Sequence, residues 1–453
     1  MLRLVPCAIV ALLVLLHAVA ATWVTPKHAI NVAPGWNVQG VTTSLTSPRT
    51  LLFDAAGHLL VLQQRKGIIA LTLNADGSVA STKVVRDDSE LNHGLALSPD
   101  GRTLYASSGE AVWSWTYDAN AMTLSDQRRT LVTGMSQDGH SSRTLLISNA
   151  QPNMLYVSRG SSGNIDFLAV DPKSGRSTIK VFDLDNVPEN GYDHASEGSL
   201  IAYGVRNEVG IVEDGAGVLW GVENGVDDAV RLKDGVSTDV HNDNPGEKLH
   251  SFGKASEVAA KGSETKNFGY PTCLSVWAPS AFPSGDSLQV GDFFVQEING
   301  TQSDASCESA VKPDLMLQAH TAPLDIKFGV GDDTNAYIAF HGSWNRDPPV
   351  GYSLGYVQGS RSGSSGGWSS KDDLTSTTAV TDILTPPDIT SCPTNCFRPT
   401  ALVWSPDGSR LYVASDSSDE IVVVSRGVGT NAAGRRAKLP HVPGLRSLLR
   451  LLY

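Results

Sequence analysis

The stretch Leu95-Ala96-Leu97-Ser98-Pro99-Asp100-Gly101-Arg102-Thr103-Leu104-Tyr105-Ala106-Ser107 recurs near the other end of the chain as Leu402-Val403-Trp404-Ser405-Pro406-Asp407-Gly408-Ser409-Arg410-Leu411-Tyr412-Val413-Ala414. In each copy an alternating apolar strand enters an Asp-Gly turn and a second alternating strand leaves it, the pattern of a β-hairpin. Weaker copies lie at Leu51 to Gln63 around Ala56-Gly57, at Leu145 to Val157 around Gln151-Pro152, at Val209 to Val222 around Asp214-Gly215, and at Ile326 to Ala339 around Gly331-Asp332. The six turns fall near residues 57, 101, 152, 215, 332 and 408, and the first spacings, about 44 and 51 residues, match one four-stranded propeller blade. The repeat therefore predicts an all-β chain folded as a six-bladed β-propeller. A β-sandwich also uses such hairpins, but about 430 residues are too many for one sandwich and no linker separates two.

The gap from 215 to 332 is the longest, and it predicts a large inserted rim or lid region over about 241–322. A second segment, Gly359 to Ser370, is rich in Gly and Ser and reads as a flexible surface loop.

Composition agrees with a β architecture. With 43 Gly and 23 Pro among 453 residues and only 18% charged, coiled coils and helical bundles are disfavoured. The net charge of -12 argues against nucleic acid or an anionic membrane as partner. That charge is uneven: Arg426, Arg435, Arg436, Lys438, Arg446 and Arg450 face no acid in the last segment, so the body between Thr22 and Ser425 carries about -19.

The chain ends read as processing signal and tail. Residues 1–21 have Arg3, an apolar run from Ala8 to Leu16 and Ala18-Val19-Ala20, which predicts a secretory signal peptide and a secreted, extracellular protein with no membrane span. Residues 22–425 are assigned to the propeller and 426–453 to a basic, poorly ordered tail. Cys7 departs with the signal, leaving Cys273, Cys307, Cys392 and Cys396, whose local loops favour the pairs Cys273 with Cys307 and Cys392 with Cys396. A zinc site of four thiolates is the alternative, and export and spacing both disfavour it. Asn299-Gly300-Thr301 is a glycosylation sequon.

Polar residues crowd beside the hairpins. The segments are Gln63 to Gly67, Asn92-His93-Gly94, Gly139 to Arg143, Gly204 to Glu208, Glu223 to Asp228, His241 to Glu247, His341 to Arg346 and Phe397-Arg398-Pro399. Arginines arriving from different blades of an acidic body would make a local anion site, suited to a polycarboxylate or phosphate. His140, flanked by Gly139 and small hydroxyl residues, is accessible enough for a general base. Glu223 to Asp228 and Asp243 offer oxygen donors for a calcium ion, without the spacing of an EF-hand.

Several of these segments, in consistent order, resemble the fungal pyrroloquinoline quinone (PQQ)-dependent pyranose dehydrogenases, within the wider sorbosone and soluble glucose dehydrogenase group. The resemblance is carried by Gly204-Val205-Arg206-Asn207-Glu208-Val209-Gly210, Val222-Glu223-Asn224-Gly225, His241-Asn242-Asp243-Asn244-Pro245-Gly246-Glu247, Phe268-Gly269-Tyr270-Pro271-Thr272-Cys273 and His341-Gly342-Ser343-Trp344-Asn345-Arg346, and spans about Pro48 to Val424. It implies a six-bladed propeller that oxidises a sugar or sugar aldehyde, with PQQ and Ca2+ as cofactors. It makes His140 the base that takes a hydroxyl proton while hydride leaves the same carbon, with Arg206 beside it in the catalytic set. Arg65, Arg206, Arg346 and Arg398 become candidates for the three carboxylates and quinone oxygens, and Asn92, His93, Asn207, His341 and Trp344 for hydrogen bonding or stacking. Calcium would be held partly by main-chain carbonyls at Gly225 and Val226. The sequence departs from the bacterial members, which orient the base with an acidic side chain, because Val157-Ser158-Arg159-Gly160 stands there instead. Asn164 or Asp166 takes that role, or the base is held differently.

The expected partners are a sugar and an external electron acceptor (a cytochrome, a copper enzyme or a small quinone), with the chain a monomer. A calcium-dependent lactonase or arylesterase on a six-bladed propeller, and a non-catalytic binding propeller, are the competing readings.

Overall fold

The computed structural model describes residues 23–259, 266–298, 302–363 and 366–427. The signal-peptide reading, the sequon and all of the tail beyond Gly427 lie outside the described residues.

All six expected hairpins form, and each supplies the first two strands of a blade. Blade 1 runs Pro48–Phe53, Leu59–Gln63, Gly67–Leu73 and Val79–Asp87 in simple antiparallel order. Blades 2 and 3 follow from Leu95–Leu97 and Leu145–Ile147, each with an extra short strand at its outer edge, Tyr192–Asp193 and Lys266–Asn267. Blade 4 begins at Glu208–Glu213, blade 5 at Pro323–Phe328 and blade 6 at Pro399–Trp404. The outermost strand of blade 6 comes from the start of the chain: Trp36–Thr42 pairs antiparallel with Glu420–Arg426, closing the ring.

The core is the set of seams between blades. Leu59, Leu60, Val61 and Leu62 are all fully buried in one strand because successive side chains point to opposite faces. Leu59 and Val61 pack toward blade 6 against Tyr412 and Ala414. Leu60 and Leu62 pack toward blade 2 against Leu104 and Trp115. Each of the six seams holds one such apolar cluster. Burial of each large side chain contributes roughly 1.5–3 kcal/mol.

Two expectations need correction. The span 241–322 is not one insertion: Glu247–Gly253 and Leu315–Leu317 are the third and fourth strands of blade 4. Excursions on either side of Glu247–Gly253 build the rim, with the hairpin Val230–Lys233 and Val236–Asp239 and the Cys273–Cys307 disulfide, while the helix Ala255–Ala259 follows Gly253 and packs on blade 3. Within the rim, buried Arg231 donates to Asp304 at 2.8 and 2.6 Å and to Asp286 at 3.2 Å. The Gly/Ser-rich stretch forms a hairpin, Gly359–Ser362 with Gly367–Ser370. Trp368 buries itself against Trp220 and Phe328 and donates to the Thr334 carbonyl at 2.8 Å, anchoring what composition reads as a loose loop. Cys392 pairs with Cys396 as expected.

Candidate active site

In an antiparallel blade, the start of the first strand, the second-to-third loop and the end of the fourth strand lie at one end. The hairpin turns lie at the other. Every candidate maps to the first end. Arg65, Gly225, Val226, His341, Trp344 and Arg346 occupy second-to-third loops of blades 1, 4 and 5. Asn92, His93, His140, Arg206, Asn207 and Arg398 occupy links into blades 2, 3, 4 and 6. In blades 1, 4, 5 and 6 the innermost strand bulges at its first residues, where a bulge redirects a side chain.

His140 has a defined tautomer. Its Nδ1 lies 3.2 Å from the Ser161 carbonyl, which can only accept, so Nδ1 carries the proton. The Ser161 hydroxyl, 2.9 Å away, accepts as well, since it donates to the Gly163 carbonyl at 2.7 Å. Nε2 is thereby left with its lone pair. Burial, aided by the Arg206 charge, lowers the imidazole to about 4. A His base with an ordinary pKa loses activity below about pH 6.5, whereas the rate here is expected to hold to near pH 4, as a kcat/KM profile will measure. Ser161→Ala keeps the carbonyl contact but not the hydroxyl, so kcat should fall roughly 3–10-fold, about the worth of one hydrogen bond, with KM little changed. An unchanged kcat would remove the hydroxyl from the mechanism. Ser161 is what holds His140: Asn164 instead accepts from Arg206, and Asp166 pairs with Arg176 at 3.2 Å.

Arg206 stands next to His140, buried, with Nε 3.1 Å from the Asn164 carbonyl and Nη2 2.9 Å from Asn164 Oδ1 and 3.0 Å from Asp227. Asn207 and His140 flank Gly160, where an added β-carbon would lie 2.7 Å from both Asn207 Oδ1 and His140 Cβ. Tyr270 reaches in from the rim: its hydroxyl donates to the Asn164 carbonyl at 3.1 Å and accepts from Asp166 N–H at 2.8 Å. The rim thus braces the loop that contacts His140.

Arg206, Gly225 and Val226 line one small cavity of about 10 Å³ with Glu223, Lys248 and Ser275. Glu247 accepts from Gly225 N–H at 2.5 Å and Ala322 N–H at 3.2 Å, fixing that turn. Beneath it, fully buried Glu223 accepts from Arg206 N–H at 2.7 Å and faces Lys248 and His250 at 2.9 Å each. Burial opposes its charge, yet Lys248 and His250 hold the carboxyl down at about 2. Glu208, buried beside it with neither oxygen hydrogen-bonded, is pushed well above the usual carboxylate range by burial and by Glu223.

Blades 1, 5 and 6 meet in a second cluster. Asp416 accepts from Arg49 at 2.5 Å and pairs with His341 Nε2 at 2.8 Å. Arg398 donates to the His341 and Gly342 carbonyls at 3.0 and 3.2 Å and lies over the Tyr352 ring. Arg346 pairs with Asp243 at 2.8 Å. Arg65 and Trp344 stand apart: both are exposed, Arg65 on a turn with φ of 55°, and neither side chain hydrogen-bonds another candidate among the described residues.

A polar ligand fits this end. Asn92 Oδ1, His93 Nδ1, Arg49 Nε, Arg346 Nε and both amide atoms of Asn345 are buried there without hydrogen-bond partners, a cost of about 1–3 kcal/mol each unless something pairs with them. Arg49 and Ser161 are the residues that sequence reading misses; Asn345 and Glu247 stand in segments it singles out but receive no role there. Arg49 had a signal, since it precedes Leu51 as Arg143 precedes Leu145 in the repeat.

The TrAA12-like family pattern matches residues 30–427. The chain belongs to that family. It is 46% identical over 408 residues, 88% of this chain, to the pyrroloquinoline quinone-dependent pyranose dehydrogenase of Coprinopsis cinerea, of whose length it spans 55%. Among solved structures, it superposes on the holo form of the pyranose dehydrogenase PQQ domain of that organism with a TM-score of 0.85, 46% identity and coverage of 88% of this chain and 98% of that one. The calcium structure of a Trichoderma reesei AA12 enzyme aligns with a TM-score of 0.82 and 40% identity over 90% of this chain and 100% of its own. Both family neighbours share the six-bladed ring.

Proposed function

We propose that this protein is a quinoprotein oxidoreductase that uses PQQ and Ca2+ to oxidise a CH–OH group of a sugar or sugar aldehyde. One observation carries the reading: a neutral His140 with its Nε2 lone pair free, on the ring face where buried Asn, His and Arg atoms await a polar ligand. When bound, the quinone supplies the hydride acceptor and calcium the Lewis acid that favours it. The chain's own part is to bind and to move a proton. Arg49, Arg398 and Arg346 supply guanidinium groups matched to carboxylates, with Asn92, His93 and Asn345 as further hydrogen-bonding groups. Arg206 faces the reacting end beside His140, whose Nε2 takes the substrate hydroxyl proton. The Gly225–Val226 turn is the calcium candidate, in keeping with the calcium-bound relative.

The lactonase reading needs side-chain carboxylates gathered on one metal. Among the described residues no group of three or more His, Cys, Asp or Glu side chains is arranged to hold one. The two disulfides accord with an oxidising compartment and so with secretion, and no described helix is long and apolar enough to cross a membrane. Electrons pass to an external acceptor, which the chemistry requires for turnover.

Reconstitution tests the reading: purified apoprotein with calcium and PQQ should reduce an artificial acceptor in the presence of one of a panel of aldoses and keto-sugars. Failure to bind PQQ at micromolar concentration, or hydrolysis of lactones without it, would overturn the proposal. Glu247→Ala should loosen the Gly225–Val226 turn and raise the calcium needed for half-reconstitution by roughly tenfold, as loss of a supporting contact does at metal sites. An unaltered calcium titration would place the metal elsewhere.

A further inference from the structure

The seam between blades 4 and 5 does not close along its outer part. The fourth strand of blade 4, Leu315–Leu317, has three residues, whereas that of blade 5, Val380–Thr385, has six. Ser353 and Ala379 of blade 5, both small, line the same seam. What is left is a cleft of about 240 Å³. At roughly 30 Å³ per water it has room for about eight waters, less than the roughly 300–1,000 Å³ of sites for drug-sized ligands.

Its lining divides by chemistry. Buried Met316 and Phe340 give an apolar floor. Around the mouth stand Trp277, Gln318, Thr377 and Asp382. Trp277 arrives from the rim, its backbone N–H donating to Asn244 Oδ1 at 2.8 Å. Asp382 pairs across the sheet with Gly355, and a β-carbon added to Gly355 would lie 3.3 Å from Phe340 and 3.4 Å from Asp382 Oδ1. The carboxylate is thus turned toward the seam rather than away from it. Among the described residues it makes no ion pair, and the Trp277 indole N–H and the Gln318 side-chain amide make no hydrogen bond. No residue assigned above to the quinone or to calcium lines this cleft. It lies behind the blade 5 loop that carries His341, where the Thr321 carbonyl accepts from Gly342 N–H at 3.0 Å.

We propose that this cleft between blades 4 and 5 is an accessory saccharide site that takes one neutral pyranose ring. A pyranose presents C–H faces and a girdle of hydroxyls, and the cleft offers the complement of each: an indole and an apolar floor for the faces, and a carboxylate, an amide and a hydroxyl for the girdle. Other ligand classes fit worse. An anion would meet the Asp382 carboxylate, and a calcium ion needs six to eight oxygen ligands where one carboxylate and a few neutral groups stand. A wholly apolar ligand would cover Asp382 and Gln318 without pairing them. The site touches none of the reacting groups, so it holds sugar beside the reaction rather than in it, and it does not rest on the quinone reading.

The test titrates the full-length protein, free of quinone, with methyl β-glucopyranoside and with cellobiose by calorimetry. Saturable binding of at least one of them is expected, with a Kd on the order of 1 mM, weakened roughly tenfold in Trp277→Ala and several-fold in Asp382→Ala. No saturable binding of either sugar, or the same Kd in both variants as in the parent, would overturn the site. Binding of tetramethylammonium chloride that competes with the sugar would make the cleft a cation pocket and also overturn it. Should Trp277→Ala fail to fold, Asp382→Ala, altered only at the mouth, and crystals of the unaltered protein soaked in the glycoside decide: a pyranose ring against Trp277 supports the site, and an empty cleft beside a sugar bound elsewhere refutes it. Neither PQQ nor calcium enters the assay, so its result stands apart from that of the reconstitution.

Discussion

His140→Ala is expected to lower kcat of the reconstituted enzyme by about 10³-fold, within the range that a positioned general base contributes, while PQQ binding stays nearly unchanged. The separation follows from the geometry. The imidazole contacts Ser161 through Nδ1, and the groups left unpaired on the ring face belong to Asn92, His93, Arg49, Asn345 and Arg346. Removing the ring takes away the proton acceptor and leaves those groups in place. Added imidazole should recover part of the rate, most effectively above the pKa of free imidazole, where the neutral form predominates. A variant that retains its rate would dismiss His140 as the base. One that loses PQQ binding would recast it as a cofactor ligand.

Glu223→Ala should destabilise the fold by about 3–5 kcal/mol, the effect of stripping one partner from a buried ion pair. Lys248 would be left charged in a dry seam, His250 would lose its acceptor, and the backbone N–H of Arg206 would be orphaned. Denaturant unfolding measures it. The pH dependence adds a sign. Because the folded carboxyl is held down at about 2, its contribution is present above the unfolded value near 4.5 and is lost as pH falls toward 2. The difference between parent and variant should therefore shrink in acid. A difference that grows on acidification would contradict the pairing.

The first two strands of every blade were legible because each is a local hairpin whose turn chemistry survives in the sequence, as at Asp100-Gly101 and Asp407-Gly408. The outer strands were not. Glu247–Gly253 reads as insertion because Glu247, Lys248 and His250 are polar, yet all three are buried where the seam turns from apolar packing to a charge network. Gly359 to Ser370 misled for the opposite reason: one tryptophan fixes what eleven small or polar neighbours leave unspecified. At the site, arginine and histidine in repeated positions were visible as residue types. The grip on His140 was not, since it uses a serine hydroxyl and a carbonyl that any loop could contain.

The strand Trp36–Thr42 that completes the last blade gives the fold an order of assembly. Its partner, Glu420–Arg426, is the last described strand to leave the ribosome, so until it is made the growing chain presents two unpaired sheet edges. Every contact between these strands spans almost the whole sequence, which makes the final join costly in chain entropy and slow. Completion of the ring is thus a checkpoint on translation through its last strand: a product cut short before Glu420 lacks the strand that Trp36–Thr42 needs.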